Sequence, residues 1–177
     1  MQFNSYVFIM AFLPLLLFSY FTLNKITLSL GKVVLILGSA LFYLYGGLYN
    51  TLFLGISILI NYLLALAVAR SSKKKALLRL DILCNVGILL LFKGCNIYIS
   101  LINASLPKDE TPLKAIILPL GISFLTFQQI MYAVNVSQEK ISLNLLDYLA
   151  YILYFPKILM GPLNEPEGFL RQLNDTT

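Results

Sequence analysis

The sequence predicts an all-α protein: a polytopic transmembrane helix bundle of about five to six apolar segments, forming one integral membrane region over residues 1–177. Three observations carry that expectation. Hydrophobic residues make up 59% of the 177 residues and charged ones only 12%, whereas a soluble domain has roughly a quarter charged residues and under half apolar ones. The core of so small a globule cannot hide this surplus, which the mean hydropathy of +0.83 also registers, so lipid must cover part of it. Finally, five of the 13 cations (Arg70, Lys73, Lys74, Lys75 and Arg79) sit in one short loop. In a membrane protein that marks the cytoplasmic side. Nucleic acid is not an expected partner, because no basic face with base-stacking aromatics is visible.

A membrane-crossing helix needs about 20 mostly apolar residues. Tyr6–Leu23 qualifies, with Pro14 as a tolerated kink. It lacks a basic leader and a small-residue cleavage site, so it reads as a retained span. Leu28–Tyr45 is the second segment, with Lys32 near its end expected to snorkel to the headgroups. LYGGLYN at 44–50 is a turn, punctuated by two glycines and carrying interfacial tyrosines. Thr51–Ala69 is the third span, with Asn61 inside it.

Leu77–Ile102 follows the basic loop, with Asp81 near its start and Lys93 well inside. A span ending near Phe92, followed by an interfacial stretch, keeps Lys93 among the headgroups. It is preferred over a longer span that buries the ammonium at roughly 3 kcal/mol. SLPKDETP at 105–112 is an exposed loop, Leu113–Val134 the fifth segment and Leu143–Leu163 the sixth. The breakers in the sixth leave open whether it spans or is re-entrant. Cys84 and Cys95 stand about 16 Å apart along a helix, too far for a disulfide, and read as small packing residues. With loop 70–79 cytoplasmic after three crossings, the N-terminus is extracellular and the protein is a multi-pass plasma-membrane protein.

Polar side chains at membrane depth face protein or a water-filled cavity. Asn61 reads as an interhelical hydrogen bond or, less readily, a substrate contact. In LPLGISFLTFQQIMY, Pro119 removes a donor and Gly121 loosens packing. Ser123 and Thr126 share one helix face, while Gln128 and Gln129 spread further round it. Lining a cavity and holding a bundle together are both compatible with this pattern. In YFPKILMGPLNEPEGFL, Pro156 interrupts a helix, Gly161 and Pro162 end it, and Lys157 sets a cation beside the break. Such breaks recur where membrane proteins contact polar ligands. An interfacial turn with a snorkelling Lys157 is the other reading. No metal site and no catalytic nucleophile–base pair are expected.

Five stretches, in order, carry a family resemblance. They are FNSYVFIMAFLPLLL, LFYLYGGLYNTLFLGISILINYLLA, LFKGCN, LPLGISFLTFQQIMYAVNV and FPKILMGPLNEPEGFLRQL. Together they resemble the N-terminal half of membrane-bound O-acyltransferases (MBOAT), in the branch of alginate and cell-wall polysaccharide O-acetyltransferases. The resemblance implies a partial MBOAT fold: helices ringed around a thinned centre, a funnel on the outer face and an inner tunnel to the acyl donor. The donor it implies is an acyl carrier or an acetyl-CoA-derived group, with no bound cofactor. It also implies an acyl-donor protein and an extracellular acetyltransferase as partners. It places Pro156, Lys157, Gly161 and Pro162 near the thinned centre, where Lys157 would attract a donor phosphate or an acidic carrier.

In that family a central histidine acts as general base on the acceptor hydroxyl, a role suited to imidazole. This chain has no histidine. It is therefore expected to be a truncated or split O-acyltransferase, inactive alone and completed by a second membrane chain carrying the missing half. Half a ring would also leave Asn61, Gln128 and Gln129 against lipid. The alternatives are D-alanyl transfer to teichoic acid within the same family, or a non-catalytic transporter half or assembly subunit.

Overall fold

A computed structural model of the chain describes residues 6–105, 114, 119, 121–154 and 165–175. The first segment opens with a π-helical stretch, Phe8–Phe12, that runs directly into α1, Leu13–Asn24. Pro14 has no N–H to give, and the wider turn before it is where a backbone absorbs that loss. Thr27 starts α2, Leu28–Tyr45, by accepting from the Leu30 amide at 3.3 Å. The α1 and α2 backbones lie close, because a β-carbon at Gly38 would run into the Leu16 side chain, and one at Gly31 into Asn24. Small residues at helix contacts permit such approach in membranes.

Gly46 and Gly47 make the expected turn, and Gly47 takes φ 107°, a conformation open to glycine. α3 then runs Leu48–Arg70. It starts three residues before the expected Thr51, because Asn50 and Thr51 turn their side chains back onto the carbonyls of Gly46 and Gly47 at 2.8 and 3.1 Å.

α4 departs further from expectation. It is one unbroken helix, Lys74–Ser105, about 48 Å long, with no interruption near Phe92. Gly94 alone costs a helix only about 1 kcal/mol, too little to end one. Lys93 lies about 28 Å along the axis from Lys74, so it reaches the far boundary of a roughly 30 Å hydrocarbon layer without a break. Phe92 meets Phe53, near the start of α3, edge-on at 5.5 Å. Cys84 and Cys95 are free and exposed on this helix, so the reading of them as small packing residues is corrected.

Gly121 sits at φ 70°, and the Ile122 amide donates to the Pro119 carbonyl at 3.2 Å. That glycine therefore begins α5, Ile122–Ser137, rather than loosening the middle of a longer helix. The end of α5 is closed by Lys140 N–H donating to Asn135 O at 3.1 Å, with Glu139 in the left-handed region at φ 59°. Asn144 then caps α6, Leu145–Leu153, accepting from the Leu146 amide at 2.9 Å.

α6 is only about 14 Å long, half a bilayer. α7, Pro166–Asn174, packs against α5 and α6. Its Glu167 and Arg171 share a groove with Lys140, Ser142 and Asp147, at the end where α6 begins. Residues 155–164, which hold the breakers of the expected sixth segment, lie outside the described residues.

α6 is the hub of the bundle. Asp147, Tyr148 and Ala150 through Leu153 are all buried, and α2, α3, α5 and α7 surround them. Tyrosines fill this centre, with ring centroids 4.9 Å apart for Tyr132–Tyr148 and 5.8 Å for Tyr132–Tyr151. Phe169 of α7 closes on Tyr151 at 5.7 Å. The Tyr132–Tyr148 and Tyr151–Phe169 contacts are edge-to-face, and such pairs add about 0.5–1.5 kcal/mol each beyond area burial.

Lys32 does not snorkel as expected. It is 9% exposed and bonds the Asp147 carboxylate. A counter-ion at hand removes the need to reach water, and a carboxylate in the first turn of α6 also suits the positive end of that helix. Lys74 and Glu139 pair at the surface, joining the start of α4 to the end of α5. Among the described residues three helices, Leu28–Tyr45, Leu48–Arg70 and Lys74–Ser105, are long and apolar enough to cross a membrane, and Phe8–Asn24 is a shorter apolar helix. Leu37, Leu59, Leu90 and Leu91 stand exposed on the outside of this bundle, where lipid covers them.

Candidate functional site

The four-residue spacing of a helix puts Ser57 above Asn61 on α3 and Asp81 below Asn85 on α4. These faces meet. The Asn85 side-chain amide donates to Asn61 Oδ1 at 2.6 Å, to Asp81 Oδ1 at 3.1 Å and to the Asp81 carbonyl at 3.0 Å. Asn61 Nδ2 donates to the Ser57 carbonyl at 2.9 Å. The Ser57 hydroxyl lies 3.1–3.2 Å from both side-chain amide atoms of Gln129 on α5. Tyr148 of α6 extends the contact, its hydroxyl 3.4 Å from the Ile58 carbonyl. Asn61 lies about 14 Å along α3 from Arg70, and Asn85 about 16 Å along α4 from Lys74. The seam therefore sits near the middle of a 30 Å layer.

A cavity of about 130 Å³ opens on this seam, lined by Ser57, Asn61, Asn85 and Thr126 together with Phe53, Ile56, Ile60, Ile88, Ile122 and Leu125. Ile56, Ile60 and Ile88 are exposed, so the mouth is apolar and lies on the outer side of α3 and α4. The back wall is polar and uncharged. Several waters, or a group the size of an acetyl, fit such a space.

Of the residues singled out in the sequence, Thr126 lines the cavity, its hydroxyl donating to the Ile122 carbonyl at 2.8 Å and leaving its lone pairs free to accept. Gln129 is tied into the seam through Ser57. Gln128 is buried, whereas Ser123 is half-buried and does not line the cavity. Asn61, Gln128 and Gln129 are 8%, 6% and 2% exposed. The expectation that they would face lipid is therefore corrected: α3, α4 and α6 close round α5 and cover them. Pro156, Lys157, Gly161 and Pro162 lie outside the described residues.

Ser57, Asp81 and Asn85 were not singled out as site residues by sequence reasoning. Their signal was two polar pairs at i, i+4 within apolar runs, 57/61 and 81/85.

Chemically, this wall can hold a hydroxyl or a carbonyl by neutral hydrogen bonds. Among the described residues no three His, Cys, Asp or Glu side chains converge as metal ligands. The chain has no imidazole to serve as base.

Comparison with known proteins gives relatives along the whole chain. A protein named "Probable alginate O-acetylase AlgI" from Pseudomonas putida is 30% identical over 187 residues, covering 100% of this chain and 38% of the relative. Its namesake from Pseudomonas syringae is 29% identical, covering 100% of this chain and 35% of the relative. A peptidoglycan O-acetyltransferase from Helicobacter pylori is 29% identical, covering 98% and 38%. The chain thus spans between a third and two fifths of the length of the curated relatives it matches. No family model matches it. No solved structure matches it either.

Proposed function

Because the chain is similar along its whole length to the alginate- and peptidoglycan-type membrane-bound O-acetyltransferases, we propose that it forms part of the helical scaffold of such an enzyme. The proposed reaction passes an acetyl group to a hydroxyl of a cell-envelope or extracellular polysaccharide. The observation that carries this reading is the match along 98–100% of the chain to three relatives, two named for alginate and one for peptidoglycan O-acetylation. The polar-backed cavity at mid-depth supports it, since an ester-forming group needs a place out of water with hydrogen-bond donors near its oxygens.

In this proposal the face bearing Arg70, Lys73, Lys74, Lys75 and Arg79 is cytoplasmic and the N-terminus extracellular. The acyl donor, delivered by a carrier or from acetyl-CoA, approaches from the cytoplasmic side. The catalytic base comes from sequence that these 177 residues do not contain, either a further segment or a second membrane chain. An extracellular acetyltransferase would then be the partner on the other face. The chain alone transfers nothing, because it has no histidine to deprotonate the acceptor.

A graft tests this. The matching stretch of the Helicobacter or a Pseudomonas relative is replaced by residues 1–177, and ester-linked acetate and D-alanine on the polysaccharide are released by mild base and measured. Acetate is expected from the graft and none from the 177-residue chain by itself. A membrane-inserted graft that yields no acetate would overturn the reading, and D-alanine instead would move it to teichoic acid chemistry.

A further inference from the structure

Asp81 is a carboxyl group 1% exposed, about 10 Å along α4 from Lys74, with one oxygen unaccounted for. Oδ1 accepts from Asn85, while Oδ2 is buried and has no hydrogen-bond partner among the described residues. Nor has Asp81 a counter-ion there. Lys32 of α2 is committed to Asp147, and Lys74 of α4 to Glu139. Arg79 is exposed and lies on the opposite side of α4, two residues away. The groups the structure relates to Asp81 from the packed helices are neutral: Asn61 of α3, which shares the Asn85 amide with it, and Tyr148 of α6, whose phenol feels the Asp81 carboxyl. An unpaired carboxylate at this depth is far costlier than the neutral acid.

We propose that Asp81 is a proton-binding site inside the membrane, held as a neutral carboxylic acid behind the wall of the mid-depth cavity. The bookkeeping of atoms is simple: the carboxylate takes one proton on Oδ2, and Oδ1 remains the carbonyl oxygen that accepts from Asn85. Asn61 and Asn85 separate the acid from the cavity, so the proton enters and leaves past them. Among the described residues nothing cationic is within the seam, so no ion pair there accounts for the carboxyl. This inference does not depend on the acetyl-transfer reading.

Infrared spectroscopy of the full chain in lipid nanodiscs tests it, through the C=O stretch of a protonated carboxylic acid at neutral pH, in water and in heavy water. The exposed carboxyls are ionised under those conditions. The expected result is a carboxylic-acid band that Asp81→Asn removes and that is the same in sodium, potassium and N-methylglucamine salts. Carbon-13 aspartate in the unmutated chain shifts the same band, which keeps the assignment independent of how the variant folds. Absence of any such band overturns the proposal. A band seen in N-methylglucamine but abolished by sodium or potassium also overturns it, in favour of a metal-cation site.

Discussion

The side-chain amide of Asn85 on α4 donates to the amide oxygen of Asn61 on α3 across 2.6 Å, fastening two membrane-crossing helices at mid-depth. Hydrogen bonds between such helices average about 0.6 kcal/mol and reach about 1.7. Asn61→Ala and Asn85→Ala are each expected to cost about 1 kcal/mol in reversible detergent unfolding, and the double variant less than the sum. Strict additivity would mean that the two amides do not act together.

Lys32 and Asp147 bring together residues 115 positions apart, with side chains 11% and 12% exposed. Removing one partner of such a pair strands the other, at about 3–5 kcal/mol. Lys32→Met or Asp147→Leu alone is therefore expected to abolish cooperative melting or lower it steeply. The double apolar replacement should recover most of the loss, as thermal unfolding in nanodiscs would show.

Gly38 presses its bare Cα toward Leu16 across the α1–α2 contact. Gly38→Val should push the helices apart, at about 1–3 kcal/mol of overpacking. Gly55, with nothing near its β-position, should tolerate the same change with no loss of melting temperature.

Thr126 faces a cavity with room for little more than a small acyl group. In the graft used to test activity, Thr126→Leu fills that space and is expected to lower acetate transfer at least roughly tenfold, as small displacements of reacting groups do. Thr126→Val keeps the volume and should retain most of it. Equal rates for the two variants would remove the cavity from the reaction.

Glu139 is held below the usual carboxylate range, first by its hydrogen bond from Lys74 and then by the charge of that ammonium. A lowered folded-state value means its contribution is present above the ordinary glutamate pKa of about 4.3 and fades as pH falls through the lower folded value. Melting measured down that acid limb should fall slightly faster for the unmutated chain than for Glu139→Gln. The difference is small because the carboxyl is exposed.

How much of this was legible depended on whether the cause was local. The bounds of α2 follow from a cap at Thr27 and glycines at 46–47, and both signals lie beside the helix they delimit. Asn61 read as an interhelical hydrogen bond because an amide in an apolar run needs a partner, and Asn85 is that partner. The identity of the partner was not readable, since it lies on another helix in a run whose own amide drew no attention. Lys32 was misread for the same reason: its fate is decided by Asp147, far along the chain. The continuity of α4 past Phe92 went unseen because Lys93 suggested a boundary. A long helix satisfies that charge equally well by emerging from the lipid.

The Lys32–Asp147 pair also imposes an order on biosynthesis. At about 5–20 residues per second, roughly 6 to 23 seconds pass between the translation of the lysine and that of its aspartate. Throughout that interval α2 carries an uncompensated ammonium, so it must wait with that end at the headgroups until α6 arrives. Only then can the lysine sink. Completion of the bundle is thereby tied to delivery of its central hub.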